Sequence, residues 1–223
     1  NYQQAWQMGK LGTALVNSVL VCGVTLIISL FFGAMAAFAI ARMRWKLSEF
    51  MHTFFLIGMM VPVHCVLIPL FVRFAKLGLT NSQGGLMIPY ITFSLPMTIF
   101  LLTGFFRSMP GEMFEAAAID GCGPVKILYK IICPMLSPSL VACALFQFMW
   151  SCNDFMGPLL YVTTPRKYPM AIFVKLSMDS TSEGIQWNRI LALSLISIIP
   201  QLLVFFAAQD SFIDGIAAGS VKG

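Results

Sequence analysis

Charge is scarce in this chain. Of its 223 residues only 10% are Asp, Glu, Lys or Arg, against 58% hydrophobic, and mean hydropathy is +0.84. Soluble domains carry about 25% charged residues, so an ordinary water-soluble fold is excluded. The net charge of +5 is dispersed over loops with no long basic run, which gives no reason to propose nucleic-acid binding. Histidine is almost missing: His52 and His64 stand twelve residues apart, so no metal site is expected. The six cysteines form no Cys-x-x-Cys pair, and most fall in apolar runs, where a free thiol packs as a small hydrophobe. No Gly-x-x-x-x-Gly-Lys-[Ser/Thr] loop occurs, so the chain itself is not expected to bind ATP or to be an enzyme. A membrane enzyme would need a cluster of titratable groups at membrane depth, and an ion-coupled carrier would need intramembrane charges. The apolar runs supply almost none; Asp154 is the one candidate, at a predicted edge.

What the sequence has in abundance is long apolar runs. Uncharged windows cover 11–41, 50–72, 77–106, 131–153 and 190–209, and about 20 apolar residues suffice to cross a bilayer as a helix. The fold class is therefore an all-α membrane protein, a polytopic helical bundle. Its five expected spans lie at about 11–41, 50–72, 86–106, 138–160 and 189–208. Gly33, Ala34, Ala36, Ala37, Ala39 and Ala41 make a small-residue end on the first span, where another helix can approach closely. Arg42-Met43-Arg44-Trp45-Lys46 reads as a cytoplasmic stop with an interfacial tryptophan. Pro62 and Pro69 kink the second span. Asp154, in Trp150-Ser151-Cys152-Asn153-Asp154-Phe155, should sit at the interface or in a wet cavity, because an uncompensated carboxylate near a span is costly. Polar residues 161–188 form an outer loop with one short helix near 170–178, and the tail from Gln209 onward leaves the membrane. The chain opens on polar Asn1-Tyr2-Gln3-Gln4, so no signal peptide is expected.

Between the third and fourth spans lies a loop, 107–137, of a different character. Pro110 and Pro124 suit the first turns of two short helices. Gly121 can take the left-handed conformation that closes a helix. The expected pattern is helix 110–120, a break at Gly121-Cys122-Gly123, then helix 124–133 ended by Pro134. Met113, Phe114 and Ala117 form a narrow apolar stripe, and Glu112, Glu115 and Asp120 keep the rest polar. Such a pair between spans is a surface for docking another protein.

Glu115-Ala116-Ala117, Gly121 and Ile131-Ile132-Cys133-Pro134, at these spacings, resemble the EAA loop of ATP-binding-cassette importer permeases. Cys133 stands where that family usually has leucine. Ala37-Phe38-Ala39-Ile40-Ala41-Arg42, Met59-Met60-Val61-Pro62, Leu77-Gly78-Leu79-Thr80-Asn81 and Ile119-Asp120-Gly121 are similar to the carbohydrate, maltose-type branch. Asn153-Asp154-Phe155 with Pro158-Leu159 matches a signature of that branch, with Cys152 in place of a tryptophan. The ending Gly219-Ser220-Val221-Lys222-Gly223 is similar to the tail of the second permease subunit of such importers. Members usually have six spans, and the first is the one without a counterpart here.

The resemblance implies a multi-pass protein of the bacterial inner membrane, part of the pathway for a sugar or oligosaccharide. Its partners would be a second permease subunit, a dimer of ATPase subunits that bind ATP and Mg, and an extracytoplasmic sugar-binding protein. Glu115, Ala116, Ala117, Asp120 and Gly121 would couple to the ATPase from a cytoplasmic loop. Gln209 and Lys222, on the tail, would reach the ATPase interface. Positive charge alone leaves orientation open, seven residues on each side, so the cytoplasmic placement rests on the resemblance and on the cluster at 42–46. Trp150, Asn153, Tyr90 and Phe93 are candidate walls of a sugar pathway, since sugar sites pair aromatic platforms with hydrogen-bonding groups. The alternative is a secondary transporter or channel subunit with no ATPase partner.

Overall fold

The computed structural model describes residues 11–43, 45–179 and 187–220. Every regular element among them is helical, as the bilayer demands of a chain whose backbone must satisfy itself. In order they are α1 (Leu11–Arg42), α2 (Ser48–Met59), α3 (Val63–Lys76), α4 (Gln83–Ser108) and α5 (Glu112–Ile119). Then come α6 (Pro124–Ile127), a π turn (Leu128–Ile132), α7 (Cys133–Met135), α8 (Ser137–Asn153), α9 (Met156–Tyr161), a 3-10 turn (Pro165–Lys167), α10 (Met170–Asp179) and α11 (Trp187–Ser220). Leu11–Arg42, Gln83–Ser108 and Ile190–Ile213 are each long and apolar enough to cross a membrane, and the count is five where each of two bent pairs, α2 with α3 (94°) and 125–135 with α8 (80°), is taken as one span. Phe31, Ile68, Leu203 and Phe206 on these segments are exposed.

Several helix ends differ from the sequence expectation. The second apolar run is broken outright at Met60–Pro62, where Pro62 has the extended ψ of 121°. Proline has no N–H to give and biases its predecessor away from helix. Arg73 and Lys76, just past the end of the expected second span at 72, occupy the last turn of α3, where cations complement exposed carbonyls. The fourth run stops at Asn153 and restarts at Met156. The helix of the last run continues through the expected tail as far as Ser220.

The chain divides into two compact units. The first holds the described parts of Asn1–Ile27, Pro62–Ile91 and Gln147–Phe206. One of its clusters is centred on Leu11, Met170 and Leu193, the other on Val21, Leu86 and Tyr161. Two asparagines fasten its connecting segment 162–169. Asn17 donates through Nδ2 to the carbonyls of Arg166 (2.8 Å) and Tyr168 (3.2 Å), and its Oδ1 accepts from Gln83 (2.7 Å). Asn81, at φ +54°, donates through Nδ2 to Thr164 Oγ1 (2.8 Å), and its Oδ1 accepts from the Thr163 and Thr164 amides (3.2 and 3.0 Å). Asparagine is among the few residues that enter the left-handed region readily.

The second unit holds the described parts of Ile28–Val61, Thr92–Phe146 and Ala207–Gly223. Its core joins Ala34, Ala37, Phe38 and Ile40 of α1 with Ile99, Leu102 and Phe106 of α4, Ala117 of α5, and Leu128, Ile132 and Leu136 beyond. The small-residue end of α1 is what permits this. A Cβ added to Gly33 would lie 2.6 Å from Thr98 Cγ2, and Ser94 Oγ donates to Ser29 Oγ at 2.8 Å beside it. In a bilayer, close packing and interhelical hydrogen bonds of this kind replace the hydrophobic effect as the force between helices.

Candidate functional site

The loop 107–137 is built on that second core. The N–H groups of Phe114 and Glu115 donate to Gly111 O (2.9 and 3.2 Å), starting α5. At its other end Gly121 takes φ +76°, and the Cys122 amide donates back to Ala117 O at 3.0 Å. This is the six-to-one bond of a glycine-terminated helix. Met113 and Phe114 are half-buried and Ala117 is 5% exposed, packed into its own chain's core. Phe114 stacks on Phe38, ring centroids 6.4 Å apart. The stripe Met113–Phe114–Ala117 therefore seats α5, and Ala117 is not free for a partner in this arrangement. Glu112, Glu115, Ala116 and Asp120 face outward.

Past the break the helix does not end at Pro134. It passes through the π turn Leu128–Ile132 and runs on to Met135. A proline removes one amide and its ring crowds the carbonyl four residues back. Widening the preceding turn, with the Cys133 amide donating to Leu128 O, relieves that crowding without stopping the helix.

Two features of the loop escape the sequence reading. Arg42, read as one charge in a basic stop, lays its guanidinium on the carbonyls of Phe106 and Met109. It also sits 4.3 Å from the Phe114 ring centroid. It thus ties the end of α1 to the end of α4 and the start of the loop, giving partners to carbonyls that a helix C-terminus leaves open. Arg107 meanwhile pairs with Glu49 at 2.9 Å on the surface, a contact worth about 0–1 kcal/mol. The second feature is apolar: Ile119 is 86% exposed, and Val125 and Tyr129 are also exposed. The charged residues close to them in sequence, Glu115, Asp120, Lys126 and Lys130, are exposed as well. Apolar residues are too common here to stand out, and only the i, i+4 spacing of Val125 and Tyr129 on one helix face signals a patch.

The first unit contains a cavity of about 520 Å³. Tyr90, Trp150, Asn153 and Asp154 line it, with His64, Leu67, Pro89, Met149 and Tyr161 among the others. Tyr90 and Trp150 meet edge to face at 5.4 Å. Tyr90 O–H donates to Asp154 Oδ2 at 2.7 Å, and the Gly157 amide approaches Oδ1 at 3.4 Å. A Cβ at Gly157 would run into Asp154 Oδ2, so glycine there makes room for the carboxylate. Asn153 Nδ2 donates to Met149 O (2.7 Å) and Gln201 Oε1 (3.3 Å). The sequence expectation for Asp154, a cavity or an interface, agrees with its place on this wall. Phe93 belongs to the second unit and is not among the lining residues. Gln209 is half-buried on α11, and Lys222 lies outside the described residues.

Residues 29–212 match the model of the family described as binding-protein-dependent transport system inner membrane component. The chain belongs to that family. It is an inner-membrane component of a transport system served by a binding protein. Among relatives, it is 31% identical over 222 residues to the diacetylchitobiose uptake system permease protein NgcG of Streptomyces coelicolor, covering all of this chain and 74% of the relative. It is 30% identical over 223 residues to the trehalose transport system permease protein SugB of Mycobacterium tuberculosis, covering all of this chain and 81% of that protein. Among solved structures it resembles a chain of a bacterial ABC transporter involved in import of the acidic polysaccharide alginate. There the TM-score is 0.83 at 21% identity, covering 95% of this chain and 78% of that one. At that identity the likeness establishes the fold alone.

Proposed function

We propose that this chain is a permease subunit of an ATP-driven carbohydrate importer, working with a second permease, an ATPase dimer and an extracytoplasmic sugar-binding protein. The observation that carries the reading is the match, along the whole chain, to two relatives named for uptake of sugars. The chain's part is mechanical. Closure of the ATPase dimer pushes on the loop 107–137, and Arg42 passes that displacement to the ends of α1 and α4. The switching is of the hinge and shear kind, in which packed helices tilt as bodies. Glu115 and Asp120 are the polar contacts to the ATPase, and Ala116 lets its groove approach. Ala117 acts from the other side by seating the helix, and Gly121 permits the break. Exposed Ile119, Val125 and Tyr129 support such a docking face, since an apolar patch rimmed by charge is the usual form of a protein contact. Gln209 and Lys222 are assigned to the ATPase interface.

Tyr90, Trp150 and Asn153 are proposed as walls of the sugar pathway, with Asp154 beside them. An aromatic pair gives an apolar platform for a sugar face, while amide and carboxylate oxygens accept its hydroxyls. The experiment is import into proteoliposomes holding the whole complex, with a panel of sugars loaded on the binding protein. Uptake of a defined sugar set that depends on ATP and on this chain supports the reading. Uptake of amino acids or ions in place of sugars overturns it.

A further inference from the structure

We propose that Cys22 and Cys152 form a dithiol that hydrogen peroxide converts to a disulfide. The two residues are 130 positions apart in sequence, yet the Cys152 thiol donates to the Cys22 sulfur at 3.4 Å. One lies on α1 and the other near the end of α8, both in the first unit. A disulfide needs about 2.05 Å between sulfurs, so the pair must close by roughly 1.4 Å, within reach of side-chain rotation and a slight helix shift. Both cysteines are free in the structure.

Access differs between them in a way that sets the order of events. Cys22 is 3% exposed. Cys152 is half-buried and lines a second cavity of about 180 Å³, together with Ser18, Asn153, Ser197 and Gln201. That space exceeds what one water needs, and its polar wall can hydrogen-bond a molecule of peroxide size. Cys152 is therefore the thiol that meets peroxide first. Its sulfur takes one oxygen of peroxide, the O–O bond breaks, the thiol proton leaves with the other oxygen as water, and a sulfenic acid remains. The Cys22 sulfur then attacks that sulfenic sulfur, the S–O bond breaks, and the hydroxide departs with the Cys22 proton as a second water. Two thiols and one peroxide thus give one disulfide and two waters. The bond would tie α1 to the residue preceding Asn153, whose side chain holds Gln201.

The test uses the full complex in its membrane, treated with peroxide, then unfolded, alkylated with N-ethylmaleimide and digested for mass spectrometry. The result expected is loss of two of the six alkylatable thiols, a linked peptide pair containing Cys22 and Cys152, and full recovery after dithiothreitol. In Cys22→Ser or Cys22→Ala the link is lost and Cys152 is trapped by dimedone as its sulfenic acid. The wild-type measurement stands alone if neither variant inserts. Full alkylation of both cysteines after peroxide overturns the proposal, as does a bond from Cys152 to any of Cys65, Cys122, Cys133 or Cys143.

Discussion

Replacing Arg42 by alanine removes three contacts at once. The guanidinium leaves the carbonyls of Phe106 and Met109 and the face of Phe114. A hydrogen bond from a charged donor contributes about 1.5–3 kcal/mol, and a cation over a ring about 0.5–2 kcal/mol. The three share one side chain that is half-buried, so they are not additive. A total of about 2–4 kcal/mol is expected to disappear from the seating of α5, since removal also leaves two carbonyls open. Amide hydrogen exchange reads this directly, because local opening sets the exchange rate. A loss of that size speeds exchange in α5 by roughly 30- to 700-fold. Arg42→Lys keeps the charge and a donor for the carbonyls, which both bond one guanidinium nitrogen, but loses the planar group over Phe114, so it should fall between the two. Sugar-stimulated ATP hydrolysis should fall in the same order, Arg, Lys, Ala. Exchange in α5 within twofold of wild type in Arg42→Ala would refute the clamp.

Glu115→Ala should insert normally but retain the ATPase poorly, by the 1.5–3 kcal/mol of a lost charge-assisted bond, about 10- to 150-fold in affinity. Glu112→Ala, one turn earlier, should change retention on the purified permease pair much less, and equal retention in the two would assign Glu115 to a merely solvated face. Gly121→Val meets no atom within 4 Å of its new Cβ, so its cost is the backbone's own, at least about 1–2 kcal/mol at φ +76°, and import should drop. Gly121→Asn, which tolerates that conformation, should keep most of the rate; equal import by Val and Asn variants would refute the break. Asp154→Asn preserves the shape that Tyr90 bonds to but loses the charge on the acceptor, and should raise KM for the delivered sugar about fivefold with assembly intact. An unchanged KM would remove Asp154 from the pathway.

The helical class and the glycine stop at 121 were legible because each has a local cause. Apolar length fixes the first, and the conformational freedom of one residue fixes the second. Pro134 misleads because a proline's effect depends on whether the preceding turn can widen, and the π turn at Leu128–Ile132 is a tertiary accommodation. The break at Met60–Pro62 and the uninterrupted passage of α4 through Pro89 and Pro96 show the same residue type with opposite outcomes, decided by neighbours. Arg42 hides for another reason: its partners are backbone carbonyls, which every residue has, so no side-chain complement marks them in sequence. Of the cavity, Tyr90, Trp150 and Asn153 could be picked by chemistry. Phe93 has the same chemistry, but its helix position puts it in the other unit. The Cys22–Cys152 pair joins positions 130 apart, and nothing local connects them.

The central claim is that this chain imports carbohydrate only when coupled to ATP hydrolysis. The direct measurement is uptake of labelled sugar by proteoliposomes containing this chain, its companion permease and the ATPase dimer, with binding protein on the import side. Magnesium and ATP are supplied on the face of the loop 107–137. Accumulation should need ATP, fall in Glu115→Ala in proportion to its reduced ATPase occupancy, and be indifferent to ion gradients. Sugar uptake that persists without the ATPase and follows a proton or sodium gradient would contradict it.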